Sequence, residues 1–214
     1  MMAAYLGDVA ALARKDLLLE LRSRDTVPAM LLFVVAALVV FHFALPAGTG
    51  DDAANGLLWV GLLFTALLGL TRAFVAEREQ GVMDGLVLAA RDHSAIWLGK
   101  AVSIVAFLVV AEAVALPAYG LFFEPVGWEL LAAVALANVG IAAVGTLLSA
   151  MAAASRAREL LLPLLFLPLG IPIVVGGVGA TVAEEPGRYL AFLALYDLVF
   201  AILSWASFEY VVTE

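Results

Sequence analysis

Six stretches of the chain are apolar over bilayer length, and short polar breaks separate them. A hydrocarbon core about 30 Å thick is crossed by a helix of about 20 mainly apolar residues. Runs near Val27 to Leu45, Leu57 to Val75, Ile96 to Phe122, Trp128 to Ala150, Leu160 to Ala180 and Tyr189 to Val211 meet that requirement. Ahead of them, "MMAAYLGDVAALARKDLLLELRSRD" is too charged for the apolar core of a cleaved signal peptide, and no small-residue cleavage site follows one. Ala10, Ala13, Leu17 and Leu21 recur at helical spacing while Lys15 and Arg22 lie elsewhere on the wheel. This predicts an amphipathic, interfacial helix over residues 1–26.

The polar breaks also predict an orientation. Arg14, Lys15, Arg22 and Arg24 precede the first span, Arg72, Arg78, Arg91 and Lys100 flank the second loop, and Arg156 and Arg158 lie in the fourth. The first loop, "PAGTGDDAANG", and the third, "FEPVG", have no basic residue, and the fifth has Arg188 alone. By the positive-inside rule both termini are expected in the cytosol, with the protein in the bacterial inner membrane. Composition agrees: 65% of the 214 residues are hydrophobic and 14% charged, with a mean hydropathy of +1.09. The reading is an all-α integral membrane protein, one permease-like membrane domain over residues 1–214. The net charge of −8 is scattered and implies no nucleic-acid partner; the environment is membrane lipid. With no cysteine, disulfides, thiolate metal sites and redox CxxC pairs are excluded within the chain.

Catalysis inside the membrane needs several reactive groups converging at depth. The intramembrane polar residues are Glu112, Asn138 and Asp197, one in each of three spans, with no HExxH, GxSxG or paired-Asp motif beside them. No catalytic residue and no metal site is therefore assigned. Glu112 needs a partner, a proton or water, and Asn138 or a tyrosine hydroxyl can partner it; the alternative sets Glu112 in the headgroup zone at the outer end of a long span. Imidazole ligates haem iron, which singles out two histidines. His93 falls in the second loop, and His42, alone near the outer end of the first span, is the one candidate haem contact. Trp59, Trp97, Trp128 and Trp205 lie near span ends and read as interfacial anchors.

No GxxxxGK[ST] phosphate loop occurs, so ATP is expected to act only through a partner chain. The loop "EREQGVMDGLVLAARDHSAIWLGKA" is built to receive one. Glu77, Arg78 and Glu79 prolong the second span, Gly81 permits a turn, and Val82 to Ala90 form two helical turns carrying Val82, Met83, Leu86 and Val87 between charged flanks. A small apolar knob of this kind suits docking into a partner's groove, over a loop spanning residues 77–95. Glu77, Glu79, Gly81, Val82, Met83, Leu86 and Val87 are thus the candidate ATPase-coupling residues.

The frame "RAFVAEREQGVMDGLVLAARDHSAIWLGK", the later "SRARELLLPLLFLPLGIPIVV" and the six-span plan resemble the cytochrome c maturation protein B family, the permease subunit of the haem exporter ABC transporter. The resemblance runs over nearly the whole chain, and "LPLGIP" is its more specific part. Where the family's coupling helix ends in a small residue and proline, this chain has Ala89, Ala90 and Arg91. The resemblance implies a non-catalytic subunit paired with a cytosolic ABC ATPase (CcmA-like), a haem-handling membrane protein (CcmC-like) and a haem chaperone (CcmE-like), with the permease as a homodimer. Haem is then cargo if the task is export and not if it is release of the loaded chaperone, and no cofactor is stably bound. By the same motif, Glu77, Gly81 and Leu86 are contacts or hinges of the coupling helix, and Pro168 and Pro172 shape the fifth span.

The residues of that span support a hinge without the family. Pro163, Pro168 and Pro172, with Gly170 among them, weaken intrahelical bonds, so a kinked or broken helix is expected, serving either as a hinge or as a static packing feature. Gly145, Ser149 and Ala153 permit close helix contact, within the protomer or between two. The function expected is coupling of a partner's ATP hydrolysis to haem export or to release of the haem-loaded chaperone in cytochrome c biogenesis. The alternatives are an ABC-2-type exporter permease for a lipid, glycan or drug, and a membrane scaffold without ATP coupling.

Overall fold

A computed structural model describes residues 2–46, 51–75, 77, 81, 83–89, 92–155 and 157–213. Among them are helices α1 (Met2–Ser23), α2 (Thr26–Ala44), α3 (Asp51–Arg72), α4 (Met83–Ala89), α5 (Ser94–Phe122), α6 (Trp128–Ala154), α7 (Arg158–Val182) and α8 (Pro186–Thr213), and no strand. All but α1 and α4 are long and apolar enough to cross a membrane, which makes this a multi-pass membrane protein.

The most apolar window of α6 is 67% buried and that of α2 only 17%. Accordingly α6 is the central helix, packed on α3, α5, α7 and α8, while α2 leans on α3 and α5 at the edge. Lipid is as apolar as leucine, so close approach and hydrogen bonding hold such helices together more than hydrophobic burial does. Gly145 shows the approach: a Cβ there would stand 2.5 Å from Leu70 of α3. One turn further on, Ser149 Oγ donates to the Leu70 carbonyl at 2.9 Å. These two residues of the small-residue stripe therefore pack inside the protomer.

Two expected anchors prove to be core. Trp59 is 2% and Trp97 9% exposed, whereas Trp128 and Trp205 are more than half exposed. Gly177 makes room for the Trp59 indole, which a Cβ would meet at 2.4 Å, and Trp97 Nε1 donates to the Ala143 carbonyl at 3.4 Å. Nor does α7 break: it runs unbroken through Pro163, Pro168 and Pro172. Neighbours support the segment, with Leu63 packed where a Cβ on Gly170 would come within 2.6 Å. The Tyr196 hydroxyl donates to the Leu169 carbonyl at 2.7 Å.

Helix α1 lies along α5, with Leu12 against Gly99 and the Tyr5 and Ser94 hydroxyls 3.1 Å apart. Its buried stripe is Val9, Ala13 and Asp16; of the expected stripe, Ala13 alone is buried, Leu17 is half-buried, and Ala10 and Leu21 are exposed. The difference is physical: α1 packs by one face and leaves a neighbouring apolar face, Leu6, Ala10 and Leu21, uncovered. Arg24 turns the chain into α2 with φ +55, and Glu20 caps α2 by accepting from Thr26 N–H at 2.9 Å and Val27 N–H at 2.8 Å.

Candidate functional site

On the α1 side of the spans, α3 does not run on through Val75 as its hydropathy suggested. It ends at Arg72 and turns at Ala73 and Phe74. A buried lysine holds the turn. Lys100, near the start of α5, is 4% exposed, and an ammonium removed from water must find partners for its three protons. It donates to the Ala73 carbonyl at 2.6 Å, to Glu77 Oε1 at 2.6 Å and to Asp16 Oδ1 at 3.2 Å, with Asp16 Oδ2 at 3.0 Å. The Phe74 ring lies beneath it, 4.9 Å from Nζ to centroid, as a cation–π contact.

Lys15 completes the network, pairing with Asp16 at 3.0 Å and also with Glu77 Oε1. Two ammonium groups thus converge on one oxygen of Glu77 while its Oε2 is buried without a partner among the described residues. Burial works to raise the Glu77 pKa, but the charge and hydrogen bond of Lys100, then those of Lys15, outweigh it and hold the carboxyl below its ordinary value. Burial likewise works to lower the Lys15 pKa and is outweighed by Glu77 and Asp16, leaving it raised.

Of the expected coupling residues, Glu77 belongs to this network and Met83 is also buried. Glu77 is 2% exposed. Met83 of α4 is buried in a small apolar cluster with Phe74, Ile96, Trp97 and Phe208, against which Leu86 and Val87 are half-buried. The cluster gives a seven-residue helix, too short to stand alone, its stability. Of the residues of α4 whose burial is described, Gly85 and Leu88 lie outside, the latter 87% exposed, with Gly81 at φ +64 in the turn before it. Left-handed backbone there suits glycine. Glu79 and Val82 lie outside the described residues.

Beside the network is an open cavity of about 640 Å³ between α1, α2, α3, α5, α6 and α7. Its ionisable lining among the described residues is Asp16, Glu20, Asp25, Glu77 and Glu159 against Arg72 and Lys100.

The intramembrane polar residues form a separate region. Asn138 Nδ2 donates to Glu112 Oε2 at 2.8 Å. Counted at 1.5 Å per residue from Phe122 and Trp128, both sit about 15 Å of helix in from the far ends of α5 and α6. They face a groove of about 600 Å³ between those helices. Asp197 is buried against Gly140, where a Cβ would meet Oδ1 at 2.6 Å; neither of its oxygens has a partner among the described residues. His42 Nδ1 lies 3.0 Å from the Phe122 carbonyl among the rings of Phe43, Phe122 and Phe123. Among the described residues no His, Cys, Asp and Glu cluster could hold a metal ion.

Sequence reading missed Asp16 and treated Lys100 as a loop charge. A signal was present: Lys100 falls inside the apolar run Ile96 to Phe122, and a charge there demands partners.

Comparison with known proteins places this architecture. The family model described as "CcmB protein" matches residues 8–208. The chain belongs to that family. It is 32% identical over 208 residues to Heme exporter protein B of Paracoccus denitrificans, covering 92% of this chain and 94% of the relative. It is also 28% identical to Heme exporter protein B of Bradyrhizobium diazoefficiens, over 91% and 89% of the two chains.

Proposed function

We propose that this CcmB-family chain is the permease subunit of a haem-exporter ABC transporter that serves cytochrome c biogenesis in a bacterial inner membrane, with both termini cytosolic. The observation that carries the reading is the family match over residues 8–208, joined to six bilayer-length helices. On this reading α1 rests in the interface with Leu6, Ala10 and Leu21 toward lipid. A cytosolic ATPase subunit docks on α4 through its outward residues, Leu88 and Gly85, with Leu86 and Val87 at the margin of the contact. Met83 and Glu77 act from behind: Met83 seats α4 on its cluster, and Glu77 is held by Lys100 beside it. The remaining partners are a haem-handling membrane protein, a haem chaperone and a second copy of this chain.

Of the two jobs such a subunit could do, the lining of the 640 Å³ cavity favours release of the loaded chaperone over passage of haem. Haem carries two propionates, and the described carboxylates outnumber the cations there, with Lys100 already engaged by Asp16 and Glu77. Like charges in a partly desolvated space repel.

The test is a haem stain of denaturing gels from a strain lacking the protein and from the same strain given wild type or Leu88→Asp, with pull-down of the ATPase subunit alongside. Loss of covalent c-type cytochromes that wild type restores and Leu88→Asp does not, with ATPase binding reduced in the variant, is the expected result. Normal staining in the deleted strain would remove the role in cytochrome c biogenesis; unchanged ATPase binding in Leu88→Asp would remove α4 as the docking site.

A further inference from the structure

We infer that Lys100 is a positioning residue which ties α1 to the segment entering α4, so that force received by α4 also moves α1; the functional half of this inference rests on α4 being the docking helix. The three acceptors of the Lys100 ammonium come from two stretches of chain far apart in sequence: Asp16 in α1, and the Ala73 carbonyl and Glu77 between α3 and α4. Each is held at hydrogen-bond distance to a side chain that is itself almost wholly buried. Buried, fully engaged ammonium groups have no solvent to fall back on, so the two stretches keep their relative places or the network breaks as a whole.

Without Lys100, little polar bonding among the described residues spans α1 and Ala73 to Val75 and Glu77. Helix α1 would still hold to α5 through Leu12 on Gly99 and through Tyr5 and Ser94. The tie to Glu77 would shrink to Lys15, whose side chain is 37% exposed and therefore screened. Helix α1 is also a wall of the large cavity, which it lines with Asp16, Leu19, Glu20 and Ser23. A push on α4 passed through the cluster of Met83 and Phe74 to Lys100 and on to Asp16 would thus move a wall of that cavity, giving α1 a part in coupling besides its place at the interface.

The absence of cysteine in the chain permits a direct test by spin labelling. One nitroxide pair is placed at Arg14→Cys on α1 and Leu88→Cys on α4, and a reference pair at Met151→Cys on α6 and Ser207→Cys on α8, all four positions being exposed. Distances are measured by pulsed electron resonance on the full-length protein in lipid nanodiscs. Lys100→Met is expected to widen the α1–α4 distribution roughly twofold, Asp16→Asn to widen it less, and neither to change the reference pair. An unchanged α1–α4 width in both variants overturns the inference. Should Lys100→Met also broaden the reference pair, a sign of general misfolding, Asp16→Asn decides alone. Carried into cells, Lys100→Met is expected to keep ATPase binding and lose c-type cytochromes. If Leu88→Asp still binds the ATPase, the docking reading falls while the nanodisc result on α1 and α4 stands.

Discussion

Two buried polar regions of this protein meet the same problem in opposite ways. On the α1 side, Lys15, Asp16, Glu77 and Lys100 form a closed set of two cations and two carboxylates drawn from α1, the second loop and α5. At mid-span, Glu112 meets only the neutral amide of Asn138, and no ion pair reaches it among the described residues. Desolvating a charge costs several kcal/mol unless opposite charge and hydrogen bonds offset it. The first region offsets it by recruiting the ends of three elements, and so fixes their geometry; the second gives the carboxyl a neutral amide donor and joins only two neighbouring helices. Where distant stretches of chain must be held together, counter-charges are the stronger staple.

The comparison breaks most readily at Lys100. Lys100→Met would leave Asp16 and Glu77 facing each other with a half-exposed Lys15 between them, and unpartnering a buried ion pair costs about 3–5 kcal/mol. A thermal melt of the detergent-solubilised protein should show a loss on that scale. Neutralising the three buried members with Asp16→Asn, Glu77→Gln and Lys100→Met together should recover most of it, because the one charge left, Lys15, has a side chain 37% exposed and can be hydrated. A triple variant as unstable as the single one would mean that packing of the lysine stem, and not charge, is what matters.

The same region should respond to pH, and the direction follows from the shifts. Glu77 is depressed below its ordinary 4.5 by Lys100 and Lys15 against the opposing effect of burial, so its contribution is present above 4.5 and is lost as pH falls through the lower native value. Lys15 is raised above its ordinary 10.5, again against burial, so its contribution is whole below 10.5 and is lost as pH rises through the higher native value. Hydrogen exchange in α1 should therefore be slowest, relative to the intrinsic rate, between those limits and accelerate on the acid side. Protection in α1 that is indifferent to acid would detach α1 from the network.

The six spans were legible because bilayer thickness imposes a length that hydropathy reads directly, and each observed span lies within a few residues of the expected one. The Glu112 and Asn138 pair was legible as one of two partners for a buried carboxyl. The ion network was not, because Asp16 and Lys100 stand 84 positions apart and each alone looks like an ordinary cytosolic charge. Met83 was misplaced outward for a related reason. An apolar knob on a short helix reads as a docking surface until the fold supplies a cluster beneath it, and the members Phe74, Ile96 and Phe208 come from three different stretches. Periodicity finds faces; it does not say what covers them.

The smallest effect expected is also the one that separates the two regions most cleanly. Asn138 Oδ1 is buried without a partner among the described residues, while its Nδ2 already serves Glu112. Glu112→Gln keeps an oxygen to accept from Asn138 Nδ2 and adds an N–H₂ that can serve the orphaned Oδ1, so stability should change by less than about 1 kcal/mol and in the favourable direction if the two amides align. Glu112→Leu instead strands the whole Asn138 amide and should cost about 1–3 kcal/mol. Neutralising a carboxylate is thus expected to be harmless at mid-span and, for Glu77→Gln made singly, harmful on the α1 side, where it leaves Lys100 with Asp16 as its one anion. Thermal melts of Glu112→Gln and Glu77→Gln side by side check this: equal losses would show that Glu112 also answers to a cation, and the contrast between a charged staple and a neutral one would fail.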